Sequence, residues 1–349
     1  MGGVIMKMCV GDWVEVRSKE EILGTLDTKG RLEGLPFMPQ MFQYCGQQFQ
    51  VLKRAHKTCD WVYTVKSRWL SNGVHLNLRC DGAAYGGCQV SCLLYWKEAW
   101  LKRIDQQGNA LEDPPVLNNA SCTVEDVLSG THAANEDNEI LYTCQGTELP
   151  DFTKPISRWN IRQYWEDYSS GNVALSSMLK GFIYAGFWNV SNAGIGLGRP
   201  LRWFYDAFQF LWGPYPRREG KIPQGHPTPT CNLNLQPGEL VRVKSYDEVL
   251  ATLDKSGKNR GLAFDAEMVP YCGGTYPVKT RMTKFIDEKT RKLVTLKNAC
   301  ILLESVWCQS KYSRCRMFCP RAIYSWWHEI WLERVAESVQ SGAKPGPER

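Results

Sequence analysis

The sequence of 349 residues has no apolar run long enough to cross a bilayer. Its most apolar stretch, Met178 to Val190, is too short and carries Lys180. A secretory leader is also missing, because Met1-Gly2-Gly3-Val4-Ile5-Met6-Lys7 offers no basic region, apolar core and small-residue cleavage site in succession. A cytoplasmic address is therefore expected. Met6 stands where a myristoylation signal needs Ser or Thr, and Gly346-Pro347-Glu348-Arg349 is no prenylation box. The charges form no block of one sign: 42 basic and 36 acidic residues are mixed along the chain, for a net +6. Basic residues lie beside aromatics from Arg199 to Trp203 and from Tyr215 to Arg218, yet no nucleic-acid motif organises them, so nucleic acid is not implied. There is no P-loop, no Gly-x-Ser-x-Gly and no His-Glu-x-x-His. Gly194-Ile195-Gly196-Leu197-Gly198 lacks the spacing and strand-turn-helix setting of a dinucleotide fingerprint.

Cysteine and tryptophan, in contrast, are abundant at 14 each, against ordinary hydrophobic and charged fractions of 43% and 22%. In a reducing compartment many cysteines point to metal before disulfides. The chain is also longer than one hydrophobic core usually organises, which predicts two or three units.

Sliding the sequence against itself by 227 positions reveals a duplication. Gly11 to Arg54 aligns without a gap on Gly238 to Arg281, and about 19 of the 44 pairs are identical where chance gives about three. Val14 and Val16, like Val241 and Val243, keep the two-residue period of a half-buried strand. Ser18-Lys19-Glu20-Glu21 and Ser245-Tyr246-Asp247-Glu248 read as capping boxes opening short helices. The repeats realign at their ends, Trp96 to Arg103 on Trp327 to Arg334. There Glu98 and Glu329 are expected to buttress Arg103 and Arg334. Several short strands with turns between them predict an α+β protein: two duplicated small SH3-like β-barrel units joined by a mostly helical insert. The expected divisions are residues 1–105, 106–236 and 237–338, with a disordered tail over 339–349.

Within the insert, a cap at Thr123 with Asp126 predicts a short helix into Leu128. Helices are expected over 159–168, 172–189 and 199–212, and Pro214 to Pro229, with five prolines, reads as a stiff linker. The apolar stripe through 172–212 suits either a helix packed across the two barrels or contact with a membrane interface.

The cysteines supply the candidate sites. His56, Cys59, Cys80, Cys88 and Cys92 form one set of metal-ligand type, and Cys300, Cys308, Cys315 and Cys319 form another within twenty residues. Cys80 aligns with Cys308 and Cys88 with Cys319. Zinc is the expected metal, with iron or an iron–sulfur cluster as the alternative. Having a histidine, the first set could keep an open position for catalysis, although thiolate-rich zinc sites are mostly closed and structural. Cys45 and Cys272, in the duplicated Tyr-Cys-Gly string, read as buried small side chains. Cys122, Cys144 and Cys231 have no spacing of motif value.

The strings Gly238 to Gly273 and Phe318-Cys319-Pro320-Arg321-Ala322-Ile323-Tyr324, continuing to Arg334, resemble an uncharacterised bacterial family of paired, cysteine-rich SH3-like repeats. That likeness covers both repeats and part of the insert; it implies architecture and carries no activity. The function expected from the residues is a zinc-stabilised binding or scaffold module for a protein or peptide, with a metalloenzyme centred on His56 as the alternative.

Overall fold

A computed structural model describes residues 7–60, 62, 66–111, 122–313 and 316–335. Cys315 and the tail over 339–349 lie outside the described residues. The fold is mixed α+β, with sheets curled into half-barrels. It divides into two compact units: Met1–Leu175 with Lys284–Thr295 and Phe318–Ala322, and Ser176–Thr283 with Leu296–Met317 and Ile323–Arg349.

The first unit is built on strand β1 (Trp13–Val16), helix α1 (Lys19–Leu23), and strands β2 (Gln48–Arg54), β3 (Gly73–Arg79), β4 (Leu93–Lys97) and β5 (Leu101–Arg103). They form one sheet in the order β4-β3-β2-β1-β5. Its α1 opens with the expected box: Ser18 Oγ accepts from Glu21 N, and the Glu21 carboxylate accepts from Ser18 N at 2.9 Å. Val14 and Val16 point inward with Phe37, Trp96 and Trp100 into one core. Burying each tryptophan removes roughly 150–250 Å² from water, about 4–6 kcal/mol before entropy is subtracted. Helix α2 (Arg162–Ser169) completes the part of this unit used below.

The second unit opens with α3 (Leu175–Ser191), α4 (Gly198–Ala207) and α5 (Gln209–Trp212). The repeat follows as β6 (Leu240–Val243), α6 (Tyr246–Leu250), β7 (Thr275–Ile286), β8 (Leu293–Leu303) and β9 (Leu332–Arg334), in the order β8-β7-β6-β9. The registers repeat as well. Val14 faces Phe49 and Arg103; Val241 faces Tyr276 and Arg334. Trp100 Nε1 donates to Thr25 Oγ1 at 3.0 Å, and Trp331 Nε1 to Thr252 Oγ1 at 2.9 Å. Phe37 meets Trp100 edge-on at 5.1 Å, as Phe264 meets Trp331 at 5.2 Å.

The insert is not a separate body. Val127, on the helix that Thr123 caps, packs into the first core together with Leu149 and Phe152. The chain from Ser176 onward belongs to the second unit. The β7–β8 hairpin behaves similarly, since its tip over Lys284–Thr295 is part of the first unit. Apolar side chains decide both assignments: Ile286 and Leu293 pack against the first core.

Candidate metal centre

Strand β3 ends at Arg79 and β4 begins at Leu93, and these two residues are paired across the sheet. Cys80 and Cys92 therefore emerge side by side, with Cys80 N donating to Cys92 O at 2.8 Å. The intervening loop coils back on itself: Tyr85 N donates to Gly82 O at 2.9 Å, and Cys88 N to Tyr85 O at 3.1 Å. Gly82 permits this. Its φ is +75°, and a Cβ there would stand 1.9 Å from the Cys88 carbonyl oxygen.

A fourth cysteine arrives from the insert. Gln145 lies against the backbone of β4, accepting from Tyr95 N at 2.8 Å and donating to Tyr95 O at 3.0 Å and Pro36 O at 3.1 Å. Thr147 Oγ1 accepts from Cys144 N at 2.9 Å. These bonds hold Cys144 at the mouth of the β3–β4 loop. Cys80, Cys88, Cys92 and Cys144 then line one cavity of about 40 Å³, with Met38, Tyr85, Leu94, Ile286 and the Val90–Ser91 and Gln145–Gly146 pairs forming the rest of its wall.

Burial holds Cys80, Cys92 and Cys144 in the neutral thiol form. Burial pushes the Cys92 thiol up to about 12, against the opposing charge of Arg321. Burial raises Cys80 well above its ordinary value, reinforced by Cys92, Cys144 and Cys88 nearby, and it raises Cys144 too. Such thiols stay neutral alone, whereas a divalent cation reverses the sign and deprotonates them. Two sulfurs already accept N–H groups: Gln40 Nε2 donates to Cys80 Sγ at 3.2 Å and Ile286 N to Cys88 Sγ at 3.4 Å. Among the described residues no three His, Cys, Asp or Glu side chains are drawn together as tightly as a bound ion would hold them, so the four sulfurs share a cavity without converging on a point. The described lining contains no His, Asp or Glu that could act as a base.

His56 lies in a different cluster. Its Nε2 is 3.2 Å from Asp167 Oδ1 and 3.2 Å from the Gln163 carbonyl, both on α2. Lys57 Nζ pairs with Asp167 Oδ2 at 2.5 Å, both side chains without exposure, and burial lowers the lysine despite that carboxylate. Arg54 completes this group, bonding Glu166 at 2.8 Å and Glu98 at 2.6 Å. Glu98 thus grips Arg54, a partner the sequence reading did not give it, and Glu329 does the same for Arg281. Arg103 and Arg334 pair with Asp12 and Glu239, at 2.9 and 2.7 Å.

Cys59 is buried on the short strand Lys57–Cys59, where its carbonyl accepts from Arg321 Nη1 at 3.0 Å. Cys319 belongs to the first unit, whereas Cys300 and Cys308 belong to the second. Cys300 is buried, its thiol pushed up to about 11 by burial, and Cys308 Sγ lies 3.4 Å from Ser310 Oγ. The structure thus brings together Cys80, Cys88 and Cys92 of the first set, adds Cys144, and leaves His56 and Cys59 outside the cavity lining. Spacing could not have found Cys144. The Cys-Gln-Gly-Thr string around it, with an amide and a hydroxyl that pin the backbone, was the available signal.

Comparison with known protein families, curated proteins and solved structures finds no match to this chain.

Proposed function

We propose that the protein binds zinc at Cys80, Cys88, Cys92 and Cys144 and that the metal is structural, making the chain a metal-stabilised scaffold of two SH3-like units that presents its surfaces to a protein or peptide. The observation that carries the reading is that four cysteines, from a strand end, a loop, a strand start and the insert, line one small cavity. Four thiolates fill a tetrahedral shell and leave no position for water or substrate, and this is the pattern of structural zinc. His56, engaged by Asp167 and Gln163, gives the catalytic alternative no support.

The test is elemental analysis and an absorption spectrum of the full chain purified without added metal, followed by thermal melting with and without a chelator. Bound zinc, no visible absorption and a melting temperature lowered by chelation are expected. Brown protein containing iron and sulfide would replace zinc with a cluster, while a metal-free chain that melts identically with and without zinc would end the proposal.

A further inference from the structure

Helix α3 is apolar on two faces. Met178, Gly181 and Tyr184 are buried in the second unit, whereas Leu179, Phe182, Ile183 and Val190 form an exposed stripe on the other side. Beyond the glycine-rich turn, α4 has no buried residue in its ten. Leu201, Phe204, Phe208 and Trp212 follow one stripe at helical spacing, and exposed Trp203 and Phe210 stand among Arg199, Arg202 and Asp206 on the other side. At its end Phe210 is 77% exposed and Leu211 65%. Isolated exposed apolar residues are ordinary, but two helices showing continuous apolar stripes to water are not.

Charge identifies the occupant. Between residues 176 and 218 there are five basic side chains and one acid, Asp206; Arg218 is paired with Asp247 at 2.9 Å and Arg217 donates to the Tyr312 carbonyl, so Lys180, Arg199 and Arg202 against Asp206 leave the helices a net charge of +2. A second copy would bring the same positive charges against these, whereas an anionic lipid surface complements them. Aromatic side chains on a basic helix are the composition favoured at the boundary between headgroups and acyl chains. No described helix is long and apolar enough to cross a membrane, so the contact lies in the plane of the interface. We infer that the α3–α5 segment of the second unit docks the protein on an anionic membrane surface, with the exposed stripe of α3 and the aromatic end of α4–α5 entering the interface.

Co-sedimentation of the full chain with vesicles tests this. Phosphatidylcholine vesicles containing about a quarter phosphatidylserine should bind it roughly tenfold more tightly than pure phosphatidylcholine, and added salt should weaken the binding. F210E/L211E, at exposed positions, should fold normally by circular dichroism and lose about tenfold in binding; K180E/R199E should lose the preference for phosphatidylserine. No binding to anionic vesicles at low salt overturns the inference, whatever the variants do. Binding unchanged in folded F210E/L211E overturns it too. Sedimentation velocity showing a dimer that F210E/L211E dissociates, without vesicle binding, would make a second copy the occupant.

Discussion

At the scale of single residues, the difference between Cys144 and His56 carries the site assignment. Cys144 has its backbone bonded to Thr147 and its neighbour Gln145 bonded to β4, so the fold itself fixes the thiol's place in the cavity wall. Cys144→Ser should therefore lower bound zinc severalfold in elemental analysis, while His56→Gln should leave zinc content unchanged. The reverse result would return the metal to the set containing His56. Gly82→Ala should destabilise the first unit by at least about 2 kcal/mol in denaturant titration, because it adds a left-handed-region penalty to a collision with the Cys88 carbonyl.

Among elements, the duplicated ion pairs tie strand to turn in each repeat. Arg54 is nearly without exposure and satisfies Glu98 and Glu166 together, whereas Arg281 is 27% exposed and holds Glu329. Arg54→Met leaves two poorly solvated carboxylates and should cost about 3–5 kcal/mol. Arg281→Met should cost less, since water screens it. Equal losses in chemical denaturation would show that the two pairs are equivalent despite their different burial. These pairs were half legible in the sequence: the duplicated Glu98 and Glu329 stood out, but their partners lie some 45 residues away along the chain, and only sheet closure brings them near.

For the whole molecule, two buried groups give the units opposite responses to acid. In the first unit burial lowers His75 from its ordinary 6.5 to about 4, and its Nδ1 bonds the Leu94 carbonyl at 2.8 Å. The unfolded chain binds that proton first, so this contribution is complete above pH 6.5 and lost as pH falls toward 4, by about 3 kcal/mol. In the second unit burial raises Glu267 from 4.5 to about 7, although Tyr312 N donates to it. Its protonated form is the one the fold favours. That contribution is complete below pH 4.5 and lost as pH rises through 7, again about 3 kcal/mol. Hydrogen exchange from pH 4.5 to 7.5 should show the first unit gaining protection free energy and the second losing it, after correction for the intrinsic pH dependence. His75→Gln and Glu267→Gln should each flatten one of the two slopes.

The sequence by itself determined the duplication, the α1 and α6 capping boxes, the inward valines of β1 and β6, and the abundance of thiols, because each is a matter of spacing within a few residues or of direct self-alignment. Only the tertiary structure decided which thiols share a cavity, that Cys319 and the β7–β8 tip belong with the first repeat, and that α3 and α4 leave apolar faces uncovered. The reason is physical: local patterns fix which way a side chain points within its own element, whereas a site or surface depends on which distant elements close against one another, and that is set by the packing of the whole chain.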